Sequence, residues 1–340
     1  MTSDSLSSTP SSPTVSILIT NWNCRDVMRD SLRSVYDKTM DVAYEIIVVD
    51  DGSVDHSVEM LAKEFPDVKV AVNERNLGFV RSNNKGLHLA NGRYVLLLNT
   101  DTILVNNAIK VLTDFLDTHP DAGACGGWLK NPDMTSQLSY GDFPSFHQAV
   151  VDALFLNDLF PRAGFPNRGV IPWRVAGSPQ EVDYVCGAVL LVRKELVDRI
   201  GLFDEEFRAY CEETDLCYRI RHWEDLKIWF VPEAEIIHLG GVSYRKFEKR
   251  QLQLQYDSYN KFLRKHHNAV YSLFTRVLYA WHYAVKSVAR FVFFLLANKE
   301  QREQSWKYFL KAAYAVRYSL LPRLPDDYRS ATARTPSPTE

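Results

Sequence analysis

The chain of 340 residues carries 40 Lys and Arg against 42 Asp and Glu, a formal charge of -2, and is 46% apolar. That is enough apolar sequence for one large α/β domain or two modest ones. The near-neutral balance excludes a general basic field for nucleic acid and a strongly acidic face for a cationic partner. The cysteines Cys24, Cys125, Cys186, Cys211 and Cys217 are scattered, odd in number and lack a C-x-x-C pair. This argues against a zinc site or a disulfide framework and for reduced thiols in a cytosolic compartment.

Residues 1–14 are polar and Ser/Pro-rich, with neither a charged n-region nor an apolar h-region. They read as a disordered tail rather than a secretory signal, and residues 321–340 read the same way. From Val15 the runs VSILIT, YEIIVVD and YVLLLNTD are short, β-branched and apolar, and helix-length amphipathic stretches separate them. That alternation predicts parallel strands with crossover helices, with weaker strands at VKVAV and AGACGG. The stretch from Gln137 to Val182 lacks periodicity and reads as irregular excursions around a short helix that could shape an acceptor site. VDYVCGAVLLVRKELVDRIG then predicts a strand and a short helix, and a further helix begins near Glu212. LKIWFVP and AEIIHLGG read as two more strands, and the chain is mostly helical from Tyr244 to about Ser319. The expected layout is a catalytic domain over 15–244 and a helical region over 245–320.

Ligands of open parallel sheets bind beyond the carboxyl ends of the strands. Three such ends carry polar residues: Thr20-Asn21-Trp22-Asn23, Asp50-Asp51-Gly52-Ser53 and Asn99-Thr100-Asp101. No G-x-G-x-x-G follows the first strand, so these tips suit a base and ribose better than a bare pyrophosphate. Asp51-Gly52-Ser53 also reads as a plain turn into a helix N-cap. Asp101 is placed to hold Mg²⁺ or Mn²⁺ with diphosphate oxygens, or simply to cap a helix. His238, shortly before Gly240-Gly241, could complete a mixed oxygen and nitrogen site or pack as a strand-end histidine. The acids Glu212, Glu213 and Asp215 open a helix, where they complement its dipole. They also offer a carboxylate able to take a proton from a hydroxyl.

The ordered series VSILITNWN, VVDDGSVD, NERNLGFVRSNN, LLLNTDT, CGAVLLVRKE, FDEEFRAYCEETDLCYRI and VPEAEIIHLGG runs from Val15 to Ser243, two-thirds of the chain. It resembles the family 2 glycosyltransferases, in particular their bacterial rhamnosyltransferase-like branch. The resemblance implies an α/β GT-A nucleotide-diphospho-sugar transferase fold with a mostly parallel central sheet, here with a helical C-terminal extension. It also implies an inverting transfer of sugar from a nucleotide-sugar donor to a saccharide or lipid-linked acceptor, as in cell-surface polysaccharide synthesis. By the same resemblance Thr20, Trp22, Asp51 and the Asn76-Leu77-Gly78 turn hold the nucleoside. Asp101 ends a D-x-D-type metal motif in which Asn99 replaces the first acid, and His238 joins metal and diphosphate. Glu213 matches the catalytic base, in a Glu-Glu rather than a Glu-Asp pair, which leaves Glu212 and Asp215 as substitutes. Arg81 stands where relatives often carry a small residue. A sugar nucleotidyltransferase would need a glycine-rich basic loop that TNWNCRD does not supply. A non-catalytic carbohydrate-binding protein on the same fold is the remaining alternative.

Between Ala269 and Ala297, helical spacing gathers Arg276, His282, Lys286 and Arg290 opposite Leu273, Phe274, Trp281, Val288, Phe291 and Leu295. The basic residues interrupt the roughly 20 apolar residues that a spanning helix needs. The helix is expected either to lie in a membrane interface, at the inner face of the membrane, or to pack on the catalytic domain or on a second copy in a homodimer.

Overall fold

The alternating apolar and polar segments fold as their periods dictate. The computed structural model describes residues 12–160, 177–240, 248–296 and parts of 302–317. Residues 1–11 of the expected tail at 1–14, the tail at 321–340, Gly241, the 244/245 domain boundary and the helix end near Ser319 lie outside the described residues. In chain order the elements are β1 (Val15–Asn21), α1 (Arg25–Lys38), β2 (Tyr44–Asp50), α2 (Ser57–Glu64), β3 (Lys69–Val72), α3 (Phe79–Leu87), β4 (Tyr94–Leu98), β5 (Thr102–Leu104) and α4 (Ala108–Thr118). There follow β6 (Ala122–Lys130), β7 (Tyr140–Gly141), α5 (Phe146–Ala153), α6 (Leu156–Leu159), β8 (Gln180–Val182), β9 (Tyr184–Val185), β10 (Val189–Arg193) and α7 (Lys194–Ile200). The last are α8 (Glu212–Trp223), β11 (Lys227–His238), α9 (Glu248–His266) and α10 (Ala269–Leu296).

The main sheet runs β3-β2-β1-β4-β10-β6-β11-β5, with β8 paired to β11. Strands β3, β2, β1 and β4 are parallel, and their register sets Asn21 beside Asp50, so the polar tips share one edge. β10 then runs antiparallel to β4, with Val189 opposite Leu98, which brings the start of β10 to the tip of β4. β5 pairs antiparallel with β11 and sets His238 opposite Thr102.

Successive strand residues point to opposite faces. Ile17, Ile19, Val48 and Leu96 enter one core, with Met28 and Leu32 of α1 and Leu112 of α4. Leu18, Ile47, Val49 and Leu97 enter the other, with Val80 of α3 and Leu216 and Ile220 of α8. Each of these side chains contributes roughly 1.5–3 kcal/mol by leaving water. Burial on both faces is why these strands read as unbroken apolar runs.

Two expectations need correcting. LKIWFVP and AEIIHLGG form one strand, β11, whose register against β6 shifts between Val231 and Glu235. Pro232 lies in that interval and has no N–H to donate, so the strand bulges and resumes. VDYVCGAVLLVR takes in the end of β8 at Val182 and then two strands, β9 and β10, separated by Cys186-Gly187-Ala188.

The helical extension is fixed to the domain. Phe262 of α9 joins the second core, and the Ser258 hydroxyl donates to Ala209 O at 2.7 Å. α10 packs on α5 and α9 through Ala149, Tyr259, Leu263 and Tyr279.

Candidate functional site

At the first two tips the side chains bind one another. Asn21 Nδ2 donates to Asp50 Oδ2 at 2.8 Å and to Ser53 Oγ at 3.1 Å. Asp51 accepts from Asn73 Nδ2 (2.9 Å), Leu77 N (2.8 Å) and Gly78 N (2.9 Å), so its carboxylate shapes the turn that contains Asn76. Gly52 sits at φ +75°, and a Cβ there would lie 2.8 Å from Arg75 Cα, so only glycine lets these two loops approach. Thr20 Oγ1 is buried without a hydrogen-bond partner, an orphaned polar atom beside the tips. Trp22 stands exposed. Arg81 is held by Glu205 at 3.1 Å at the surface.

Asp101 follows β4 and His238 ends β11; the β5–β11 pairing brings His238 Nε2 to 3.3 Å from Asp101 Oδ1. Leu239 N donates to Asp101 O at 2.8 Å and fixes the same junction. Asn99 N donates to Ala188 O, and Asn99 O accepts from Thr102 Oγ1. Behind the imidazole sits Gln137, which the sequence reading missed because it opens an aperiodic segment. Its Nε2 donates to the His238 carbonyl at 2.7 Å and to Asn131 Oδ1 at 2.8 Å. Its Oε1 therefore faces His238 Nδ1, 2.8 Å away, as an acceptor. The hydrogen belongs on Nδ1, and Nε2 is the atom offered toward Asp101. Among the described residues no group of three His, Cys, Asp or Glu could hold a metal ion. Asp101 and His238 fit a divalent cation as two ligands of an open site, whose other positions a bound diphosphate and water would fill.

The acids of α8 divide by surroundings. Tyr210 and Cys211 precede the helix with φ of 67° and 63°, two consecutive non-glycine residues in the left-handed region. Such backbone costs about 1–3 kcal/mol per residue and persists only where packing imposes it. Burial, then the charge of Glu213, raises Glu212 well above the ordinary carboxylate range, and Glu212 Oε2 has no hydrogen-bond partner. Burial also raises Glu213, and the two neighbouring carboxyl groups lose their protons as a pair. Burial raises the Tyr210 hydroxyl as well, helped by the charges of both glutamates.

Asp215 lies elsewhere. It is fully buried and binds Arg219 at 2.8 Å, Lys265 at 2.8 Å and His266 at 2.7 Å. Burial alone would raise its pKa, but His266, Arg219 and Lys265 outweigh it and bring it to about 2. This carboxylate joins α8 to α9 and is committed there, so the structure withdraws it as a substitute base.

The Cys186-Gly187-Ala188 turn connects the two chemical groups. Its Ala188 carbonyl binds Asn99 N at the Asp101 tip. On the other side a Cβ on Gly187 would stand 3.4 Å from Glu213 Cβ. The Cys186 thiol is pushed up to about 12 by burial, then by the charges of Glu213, Glu212 and Asp101, all of which act on this turn. The structure thus brings Asp101, His238, Glu212 and Glu213 together at the strand tips, with Asp51 and the 73–78 turn on the same edge.

Residues 16–174 match the family model described as glycosyl transferase family 2. The N-acetylglucosaminyl-diphospho-decaprenol L-rhamnosyltransferase of Mycobacterium tuberculosis is 26% identical over 211 residues, 57% of this chain and 66% of the relative. The poly-beta-1,6-N-acetyl-D-glucosamine synthase of Staphylococcus epidermidis is 29% identical over 226 residues, 65% of this chain and 48% of the relative. The chain therefore spans just under two-thirds and about half of these relatives' lengths. Among solved structures, GalNAc-T7 with UDP, GalNAc and Mn²⁺ superposes with a TM-score of 0.59 at 15% identity, over 92% of this chain and 58% of that one. The mannosyltransferase PcManGT from Pyrobaculum calidifontis in complex with GDP-Man and Mn²⁺ gives 0.56 at 14% identity, over 92% and 87%. These likenesses show the GT-A fold. The matched segment, the motif order and the fold agree: residues 16–174 of this chain are similar to glycosyl transferase family 2.

Proposed function

We propose that the chain is an inverting glycosyltransferase that moves a sugar from a nucleotide-diphosphate donor to a saccharide, free or lipid-linked. The observation that carries this reading is the convergence of the Asp101–His238 pair and the Glu212–Glu213 pair on the Cys186–Ala188 turn at the strand tips. Thr20, Trp22, Asp51, Asn76 and Gly78 lie along the edge that would receive the nucleoside, with Asn99 beside the metal tip. Asp101 and His238 would hold Mg²⁺ or Mn²⁺, which supplies neutralising charge for the departing diphosphate. Glu213 takes the proton of the acceptor hydroxyl. That oxygen forms the new bond to the anomeric carbon while the bond to the nucleoside diphosphate breaks on the opposite face, so the configuration inverts.

The rhamnosyltransferase relative supports a deoxyhexose donor such as dTDP-rhamnose and a lipid-linked acceptor in cell-surface polysaccharide synthesis, with UDP-hexoses the next donors to test. Such an acceptor favours work at the inner face of a membrane, with peripheral contact through 269–297. A thermal-shift panel of nucleotide sugars with Mn²⁺ and Mg²⁺, followed by transfer assays with the donor that binds, tests the reading. Binding without transfer or hydrolysis would favour the non-catalytic carbohydrate-binding alternative.

A further inference from the structure

We infer that α9 braces the loop ahead of α8, and that Ser258, Lys261 and Lys265 are positioning residues for Glu213, a role that rests on Glu213 being the base proposed above. Residues 201–211 form neither helix nor strand, so no backbone ladder fixes the segment that delivers Glu213 to the site. Side chains fix it instead. At its start Arg219 Nη1 donates to Ile200 O and Gly201 O, both at 2.8 Å, and Nη2 donates to Leu202 O at 2.6 Å. Asn84 of α3 and Phe203 exchange two further bonds, at 2.8 and 3.0 Å. From Asp204 onward the donors come from α9. Lys265 Nζ lies 2.5 Å from Asp204 Oδ2, Lys261 Nζ donates to Glu206 O at 2.5 Å, and the Ser258 hydroxyl donates to Ala209 O at 2.7 Å. The same stretch of α9 reaches α8 itself, where Lys265 and His266 bind Asp215 at 2.8 and 2.7 Å. Ser258, Lys261, Lys265 and His266 recur at helical spacing, so these contacts come from one face of α9.

The Ser258 bond bears most directly on the base. Ala209 immediately precedes Tyr210 and Cys211, the two residues in the left-handed region, and Glu213 lies in the first turn of the helix they lead into. Left-handed backbone at non-glycine residues persists only where the surroundings impose it. Both Ala209 and Ser258 are buried, so water is poorly placed to replace the hydroxyl as a donor to this carbonyl. Without that donor, residues 210–211 relax toward the ordinary right-handed region, the first turn of α8 shifts, and Glu213 leaves its place beside Gly187. A reacting group misplaced by about 1 Å costs roughly 10²-fold in rate. The donor edge is held by other bonds, those of Asp51 to Leu77 and Gly78 and the pairing of Asp101 with His238. The brace therefore acts on kcat and leaves donor binding alone.

Ser258→Ala in the full chain removes the one hydroxyl. Its circular dichroism and its affinity for UDP and dTDP with Mn²⁺ are expected to match wild type. Its kcat for transfer is expected to fall about tenfold to hundredfold at an unchanged donor KM, and the amides of residues 204–213 to exchange deuterium faster. Lys261→Met, which loses the bond to Glu206 O and an ion pair with Asp257 at 3.3 Å, is expected to follow the same pattern, and Lys261→Arg to restore it. Arg264→Ala, on the exposed side of α9, is expected to match wild type throughout. Should Ser258→Ala fail to fold, the two Lys261 variants decide. Unchanged kcat, unchanged exchange, donor affinity that falls in step with the rate, or an equal loss in Arg264→Ala overturns the inference. A wild type that transfers no sugar strikes the transferase reading instead, and the exchange comparison then still decides whether α9 braces the loop.

Discussion

Replacing Gln137 with leucine removes the amide that fixes His238 while keeping a side chain of similar size. Three hydrogen bonds disappear, to His238 Nδ1, His238 O and Asn131 Oδ1. The half-buried His238 carbonyl then lacks a donor, which costs about 1–3 kcal/mol of stability. The imidazole also loses the acceptor that keeps its hydrogen on Nδ1, so part of the population presents Nε2–H toward Asp101 and cannot donate a lone pair to a cation. Loss of such an outer partner lowers metal affinity by about 10–100-fold, or roughly 1.4–2.8 kcal/mol. Calorimetric Mn²⁺ titration with saturating nucleoside diphosphate reads the affinity, and ¹⁵N shifts of the His238 ring read the tautomer. The expected result is weaker Mn²⁺ binding together with a mixed tautomer. Unchanged affinity and an unchanged Nδ1–H signal would refute the positioning role of Gln137.

Four further outcomes follow from the structure. Glu212→Gln leaves Glu213 as the one carboxylate of the pair and should retain most transfer at neutral pH; loss comparable to that in Glu213→Gln would move the base to Glu212. The rate should rise with pH as Glu213 ionises, with its midpoint displaced above an ordinary glutamate because burial raises it; a midpoint at or below the ordinary value would contradict this. Asp215 is depressed from 3.8 to about 2, so its stabilisation is present above the unfolded pKa and fades as pH falls from about 4 toward 2, by roughly 2 kcal/mol. Urea denaturation should show that acid limb flattened in Asp215→Asn, and this variant should be less stable at neutral pH by about 3 kcal/mol or more, because Arg219 and Lys265 lose a buried counter-charge. Gly52→Ala should destabilise by roughly 1–3 kcal/mol, since φ is +75° and the new Cβ meets Arg75 backbone; a variant within a few tenths of wild type would show that the 73–78 loop gives way.

The strands β1, β2 and β4 were legible because both faces are buried, which forces uninterrupted apolar runs that end abruptly at polar tips. Asp101 and His238 were legible as residue types at strand ends, but their 3.3 Å approach arises from β5–β11 pairing across more than 130 residues. Gln137 carried no signal, since a glutamine in an aperiodic segment acts here only through tertiary contact. The three acids of α8 looked equivalent because they share one helical turn. What separates them is the partner on the far side: α9, remote in sequence, claims Asp215, while the Gly187 turn receives Glu213. Pro232 suggested a break in β11, yet pairing on both sides of the bulge holds the strand together. In α10 the periodicity revealed two stripes but could not say which one the domain buries, and polar hydrogen bonding to α5 and α9 decided it against the usual rule that an apolar stripe faces the core.

The central claim is that Glu213 supplies the base in a site assembled with Asp101 and His238. Its most direct test is single-turnover transfer by Glu213→Gln alongside donor binding in the presence of Mn²⁺. Donor affinity within about twofold of wild type, with the transfer rate reduced by about 10²–10⁴-fold, is the expected result. Substantial transfer by this variant, or loss of donor binding in parallel with the rate, would contradict it.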